Sequence, residues 1–338
     1  MKCYTYTIPS ADRPSLIHSV DVADIDSATG PTANESEYFL AMVNPSNAQQ
    51  GAKGLHLCTS TTTPCTSNQL AVFTWGSSGL NQPSVLTVTP YTPGCYNTTT
   101  NQEANTYCVP EPSTNTAVIG PYGSPSCGNY NTPCVDSLGD RLANRLTYNN
   151  LTPQGGAEYL TASHVVMESA TNQRTGIRYY VLKVAAGKAA TVLINSGSAS
   201  GPPDLQDPNG VLWYFMPSAA LDEHGNLGFT FTASGPNCAS CGAGDQPHPA
   251  IAFDVLPAGA TGFDSPTLIV QGTADQENTD RWGEYAATVV DTTDGLTFYG
   301  VGEYYTVNES GTSGCSVPSS ECYTWQTRIF RGQYGTTF

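Results

Sequence analysis

Apolar and polar residues alternate in short runs along the whole chain, and no stretch holds a helical period for four turns. The runs at 38–43 (YFLAMV), 70–75 (LAVFTW), 84–90 (SVLTVTP), 178–184 (RYYVLKV), 190–195 (ATVLIN), 227–233 (LGFTFTA), 249–256 (PAIAFDVL), 267–272 (TLIVQG) and 296–305 (LTFYGVGEYY) are bounded by Gly, Pro, Asn or Asp. A period of two sends successive side chains to opposite faces of a strand, and the bounding residues supply turns. Charged residues are only 12% of the chain, and Ser, Thr and Asn fill the surface instead. Those short polar side chains compete with the helix backbone for its hydrogen bonds. An all-β protein of about fifteen or more strands is expected.

The strands repeat. Residues 213–234 (WYFMPSAALDEHGNLGFTFTAS) and 281–303 (RWGEYAATVVDTTDGLTFYGVGE) share an aromatic opening and a strand of small residues. In each, an Asp marks the turn (Asp222, Asp291), a Gly follows (Gly225, Gly295), and a second, aromatic-rich strand comes next. Residues 138–151 fit the opening less well. Residues 15–30 keep the small strand and the turn at Asp26 and Gly30. Openings about 70 residues apart, each leading into a small-residue strand, are the pattern of a β-propeller built from four-stranded antiparallel blades. Innermost strands converge on a channel, so their side chains must be small, and Gly takes the positive φ of the tight turn. Blades are expected at 15–92, 136–196, 205–272 and 281–338, in a single domain over 1–338, with a cysteine-rich loop region at 93–135. Either the ring closes with these blades, or residues outside the chain or another copy complete it.

The 28 acidic and 12 basic residues give a net charge of −16. Nothing in that balance offsets phosphate repulsion, so nucleic acid and anionic membrane surfaces are not expected as partners. No run reaches 18 apolar residues, so no transmembrane helix is expected. Ten of the eleven cysteines fall into close pairs: Cys58 with Cys65, Cys95 with Cys108, Cys127 with Cys134, Cys238 with Cys241, and Cys315 with Cys322. The pairs lie mostly in turn-rich segments between strands, which points to loop disulfides and an oxidising, extracellular compartment. Reduced cysteines in a cytosolic protein are the alternative. Zinc at Cys238 and Cys241 lacks a second pair or a nearby His cluster. Cys3 is left over, and residue 1 is not expected to be the start of the natural precursor. Sequons at Asn34, Asn97, Asn150 and Asn308 would suit glycosylation of a secreted chain.

From about residue 134 onward the chain resembles a group of secreted bacterial β-propeller proteins of uncharacterised function. The resemblance is carried by DSLGDRL (136–142), GIRYYVLKV (176–184), FMPSAALDEHGNLGFTF (215–231), HPAIAF (248–253), RWGEYAATVVD (281–291) and WQTRIF (325–330), in that order. It covers the later part of the chain, and the first 130 residues match only in style. Glu284 stands where the group's pattern carries aspartate, and the cysteine-rich loops are longer here. The resemblance implies the propeller fold and secretion, with further blades preceding these motifs.

Aligning the repeats places Asp140 and Glu284 at one position, one residue after a Gly and at the head of an inner strand. Phe215 takes that place in the intervening repeat. Arg141, Arg145, Arg281, Tyr214, Trp282 and Tyr285 lie close by in the repeat frame. One reading is a pocket on the propeller axis, where one carboxylate protonates a leaving glycosidic oxygen and the other acts as base or nucleophile. The other is that acids and arginines pair between blades while aromatics pack between sheets. Glu303 and Arg328 are expected to face each other across a ladder, and Tyr179, Tyr180 and Trp213 to fill the space between sheets. The acidic segment 21–26 (DVADID) is a candidate calcium loop without regular ligand spacing. No other metal and no cofactor is expected. No G-x-S-x-G elbow and no phosphate-binding glycine loop occurs.

Two functions follow from these readings. The first is a non-catalytic extracellular protein that binds a glycan or protein polymer, a surface, or its own copies. The second is a glycan-active hydrolase or lyase using Asp140 and Glu284.

Overall fold

A computed structural model of the chain describes residues 17–32, 36–43, 49–51, 54–56, 67–76, 79–81, 84–92, 94, 96–97, 102–103, 107–112, 134–139, 141–143, 145–168, 174–185, 190–236, 248–276, 282–283, 286–306 and 325–335. The protein is all-β. Among the described residues the helical content is a single 3-10 turn at Thr152–Gln154. No helix among the described residues is long and apolar enough to cross a membrane.

The first stretch holds β1 (Ile17–Ile25), β2 (Glu37–Val43), β3 (Gln49–Gly51), β4 (Gly54–His56), β5 (Ser67–Gly76), β6 (Gly79–Leu80) and β7 (Ser84–Tyr91). Short strands β8 (Tyr96–Asn97), β9 (Gln102–Glu103), β10 (Tyr107–Pro110) and β11 (Cys134–Asp136) follow, so part of the segment expected as loop is strand. Then come β12 (Leu146–Asn150), β13 (Glu158–Met167), β14 (Thr175–Val184) and β15 (Thr191–Asn195). The chain continues with β16 (Trp213–Leu221), β17 (Leu227–Ser234), β18 (Ala250–Leu256) and β19 (Thr267–Val270), and closes with β20 (Ala287–Val290), β21 (Phe298–Tyr305) and β22 (Trp325–Gly332).

β12 to β15 pair in chain order, β16 to β19 form a four-stranded antiparallel sheet, and β20 to β22 form a three-stranded one. β1, β2, β5 and β7 also pair in succession. One pairing departs from the expectation of separate antiparallel units. β1 and β12 run parallel, joined at Ala23–Leu146, Asp24–Thr147 and Ile25–Tyr148, which merges both groups into a nine-stranded sheet. Two strands leading their groups in the same direction have free edges of matching polarity, so they can bond as a parallel ladder.

That large sheet folds over on itself. Tyr38, Leu40, Met42, Leu70 and Val72 from one half meet Tyr148, Leu160, Tyr180 and Leu182 from the other. The opposite face of β14 carries Ile177, Tyr179 and Val181 into a second core with Ala219, Phe229, Phe231 and Ala252. With both faces covered, β14 reads as a nearly unbroken apolar run rather than a clean alternation. A third layer contact sets Ala220 and Phe253 against Val290 and Phe298. Gly228 allows it, since a Cβ there would lie 2.6 Å from the Phe298 ring.

The ends of β1, β12, β16 and β20 converge. The buried Asn149 amide donates to the carbonyls of Asp26 (3.0 Å) and Leu221 (2.8 Å). The Asp26 N–H donates to the Tyr148 carbonyl at 2.9 Å, and the Val290 backbone N–H approaches the Asp26 carboxylate. β16 and β20 are stitched by hydroxyls: Thr288 N–H donates to Ser218 Oγ, Thr288 Oγ1 donates to the Ser218 carbonyl, and Thr230 N–H donates to Thr288 Oγ1. The turns that follow have the chemistry expected of them. Asp222 accepts from the N–H groups of His224 and Asn226, and Gly225 sits at φ 82°. Gly295 sits at φ 69° and donates to the Asp291 carbonyl.

Replacing Asn149 by Ala strands two buried carbonyls and leaves a gap at the junction of three strands. Asn149→Ala is expected to cost about 2–4 kcal/mol in urea unfolding. A loss no larger than that of an exposed-turn control, Asp294→Ala, would show that this junction does not hold the strands together.

Candidate functional site

The residues nominated from sequence divide sharply. Asp140, Arg281, Glu284 and Tyr285 lie outside the described residues. Their neighbours are described: Leu138 and Trp282, each two positions earlier, pack in one cluster with Val109, Val135, Phe215 and Tyr305. Trp282 is fully buried, its ring 5.3 Å from Tyr305 and 6.2 Å from Phe215. Tyr214 is equally buried, 4.6 Å from the Phe231 ring. Neither ring faces solvent, so neither offers a stacking platform to a sugar. Tyr179, Tyr180 and Trp213 are buried as well.

Arg145 is engaged. Its guanidinium lies 3.3 Å from the exposed Asp24 carboxylate and closer still to the buried Asp26. Arg141 is exposed. Residues 21–25 of the acidic segment lie in strand β1 rather than in a loop. Period-two geometry therefore sends Asp21 and Asp24 to opposite faces, and Asp26 turns to Arg145. Among the described residues no group of three His, Cys, Asp or Glu side chains is placed to hold a metal.

Other nominations are corrected by register or burial. Glu303 stands opposite Thr327, and Arg328 opposite Gly302, so the two charges are offset by one position. Asn150 is buried. Its amide nitrogen donates to the Gly30 carbonyl at 2.8 Å and its oxygen accepts from Thr152, which leaves no room for a saccharide in the fold. Asn34 and Asn308 lie outside the described residues, and only the backbone of Asn97 is described, in β8. Cys58, Cys65, Cys95, Cys127, Cys238, Cys241, Cys315 and Cys322 also lie outside them. Cys108 and Cys134 are described in backbone alone, on the paired strands β10 and β11.

A polar cluster that the sequence did not reveal lies beside Trp282. Tyr305 donates its hydroxyl to Gln276 Oε1 at 2.9 Å, and the Gln276 N–H donates to Glu111 Oε1 at 2.8 Å. Next in the chain, the fully buried Asp275 carboxylate lies 2.5 Å from Nδ1 of His248. A carboxylate on Nδ1 fixes the ring and leaves Nε2 as the nitrogen able to move a proton. These residues come from four segments far apart in sequence, and no spacing rule connects them. His164 is different. It is buried, Nδ1 donates to the Val165 carbonyl at 3.1 Å, and Nε2 accepts from the Tyr180 hydroxyl at 3.0 Å. Burial pushes it down to about 3, so it remains neutral and structural.

No protein-family model and no curated protein matches the chain. Among solved structures it is similar to a protein of unknown function from Dyadobacter fermentans DSM 18053, at 7% identity and a TM-score of 0.35 over 80% of this chain and 54% of that one. It is also similar to a levansucrase from Gluconacetobacter diazotrophicus, at 11% identity and a TM-score of 0.34 over 97% of this chain and 65% of that one. The chain thus spans just over half and just under two thirds of those proteins, and likenesses this slight carry no argument about its fold or chemistry.

Two buried carboxyls and a half-buried one give the protein a pH signature. Burial raises Asp254 to about 7, and Asp21 and Asp26 to about 6; for Asp26, burial outweighs the Arg145 guanidinium. The folded chain holds these protons more tightly than the unfolded chain does. Their stabilising contribution is complete below about pH 4 and is lost as pH rises through 6 to 7. Melting temperature is therefore expected to fall between pH 5 and pH 8. Asp254→Asn is expected to flatten the upper part of that profile and to raise stability at pH 8 by on the order of 2 kcal/mol. An unchanged pH profile in Asp254→Asn would rule out this carboxyl as a source.

Proposed function

We propose that the chain is an extracellular β-propeller that works without catalysis, binding a glycan or protein polymer. The radial reading is supported by the circuit of contacts among the leading strands. β1 bonds β12, Asn149 links β12 to β16, Thr288 links β16 to β20, and Asp26 meets Val290. In this reading each group of strands is a blade, and β1, β12, β16 and β20 surround the axis.

The observation that carries the non-catalytic reading is the engagement of the described site candidates. Arg145 is held by two aspartates, while Tyr214 and Trp282 lie between sheets. Such groups hold sheets in register and present nothing to a substrate. The charge-poor, Ser-, Thr- and Asn-rich composition suits a broad, hydrogen-bonding contact with a polymer.

The second reading, a glycan-active hydrolase or lyase, draws support from the cluster of Glu111, Gln276, Asp275 and His248. It lies beside Trp282, two residues before Glu284. Pelleting with insoluble polysaccharides and protein polymers, together with an assay for new reducing ends, separates the two. The expected result is co-sedimentation with at least one polymer, no new reducing ends, and affinity unchanged within about two-fold in Glu284→Gln and His248→Ala. New reducing ends that vanish in either variant would replace the binding reading with the enzymatic one.

The extracellular reading has its own test. With ten of the eleven cysteines paired, protein unfolded without reductant is expected to titrate one thiol, and all eleven after reduction. Eleven free thiols before reduction would place the chain in a reducing compartment.

A further inference from the structure

One carboxylate in the second core has no counter-charge. Asp254 lies on β18 between Ala252 and Leu256, on the face that enters the layer with Phe229 and Phe231. Phe229 stands directly opposite it in the ladder. The residue is only 6% exposed. Its Oδ1 accepts from the Val255 N–H at 2.8 Å, and its Oδ2 is buried without a hydrogen-bond partner. Most other enclosed acids are treated differently. Arg145, Arg174, Arg178 and His248 each sit against one of them, and backbone N–H groups serve Asp207 and Asp222. An enclosed carboxylate oxygen without a donor is costly, and native folds rarely keep one without a purpose.

The group beside Asp254 is a second acid. Burial is the largest influence on its carboxyl, the Val255 N–H opposes burial, and the charge of Asp264 adds to it. No Lys, Arg or His among the described residues acts on it. Asp264 is exposed, on the connection from β18 to β19, and the adjacent Phe263 ring anchors that connection 5.5 Å from the Phe229 ring. The Tyr214 hydroxyl is also close: after burial, the charges of Asp207, Asp254 and Glu168 are what keep its proton in place. Asp21 likewise has a buried oxygen without a partner, but burial alone acts on it and no second carboxylate stands by. We propose that Asp254 and Asp264 bind a calcium ion, with Oδ2 of Asp254 as its enclosed ligand. The proposal goes beyond the binding reading above and holds whatever polymer the protein takes.

The chemistry selects the ion. Two like charges held together, one of them shielded from water, oppose folding unless a cation joins them. The ligands are all oxygens, which suits a hard cation rather than zinc or copper. Neutral oxygens complete the set: the Tyr214 phenol, carbonyls of the 257–266 connection, and water. Gly259 and Gly262 lie in that connection with open space beside them, so its carbonyls can turn toward an ion. Calcium accepts irregular sets of about six to eight oxygens, whereas magnesium demands a near-ideal octahedron and gives up its water reluctantly. The site differs from a cluster of three or more Asp, Glu, His or Cys ligands, of which the described residues hold none. With two carboxylates, its affinity falls in the range of extracellular calcium modules, a Kd of about 10⁻⁴–10⁻³ M. The net charge of −16 favours uptake of a cation over any anion.

Thermal unfolding of the full chain at pH 8, first in EDTA and then with calcium, tests this. Calcium at about 10 mM is expected to raise the melting temperature by about 3 °C, and magnesium at the same concentration by no more than about 1 °C. Calorimetric titration is expected to show calcium binding that Asp264→Asn weakens by at least about ten-fold. Asp254→Asn is expected to be at least as stable as the parent in EDTA and to gain nothing from calcium, so its lost response is not a failure to fold. Asp294→Asn removes an exposed carboxylate from a distant turn and is expected to keep the full calcium response, which separates a site from general screening of an acidic protein. No rise with calcium would overturn the proposal, as would an equal rise with magnesium. A full calcium response surviving in either Asp254→Asn or Asp264→Asn would overturn it too.

Discussion

The buried amide of Asn149 is the contact on which the arrangement of sheets depends. One NH2 group donates to carbonyls on the segments ending β1 and β16 while the residue itself belongs to β12. Those carbonyls lie at strand ends, where the ladders no longer supply a partner, and a buried carbonyl without a donor is costly. A side chain with two donors in one plane satisfies both at once. It also limits how far the three strands can move apart, because hydrogen bonds weaken steeply beyond about 3.2 Å. The Ser218–Thr288 hydroxyl pair does the same for β16 and β20. Polar groups at the convergence therefore set the positions of the sheets, while the aromatic and aliphatic layers between them supply the bulk of the burial.

This division explains what became of the nominated site. At the meeting of several sheets, charged and aromatic side chains are needed for packing, and the same residue types are those a glycan site would use. Arg145 pairs with two aspartates at the end of β1, and Trp282 and Tyr214 fill space between sheets. A repeat alignment can bring such residues to a common position, but it cannot say whether their free faces meet water or another sheet. The His248–Asp275 pair and the Glu111–Gln276–Tyr305 chain show the converse. They are assembled from distant segments and follow no repeat.

Strand content and turn chemistry were legible in the residues. The runs at 38–43, 178–184, 227–233 and 249–256 are strands, and the Asp222–Gly225 and Asp291–Gly295 turns carry the bonds and positive φ those residue types favour. These features are local, set by side-chain alternation and by the conformational freedom of glycine. Register was less legible. Glu303 and Arg328 miss each other by one position, and the parallel ladder between β1 and β12 joins residues more than a hundred positions apart. Asn150 has the sequon but not the exposure, since burial belongs to the assembled sheets.

The amino-acid sequence alone determined that this chain is all-β, where most of its long strands run, and which residues turn it. Each of those outcomes depends on neighbours a few positions away. Only the tertiary structure decided which strand edges meet, which carboxyls lose their water and hold their protons, and which aromatic rings are closed off from any ligand. Those outcomes depend on the low dielectric and the close packing created when sheets distant in sequence come together.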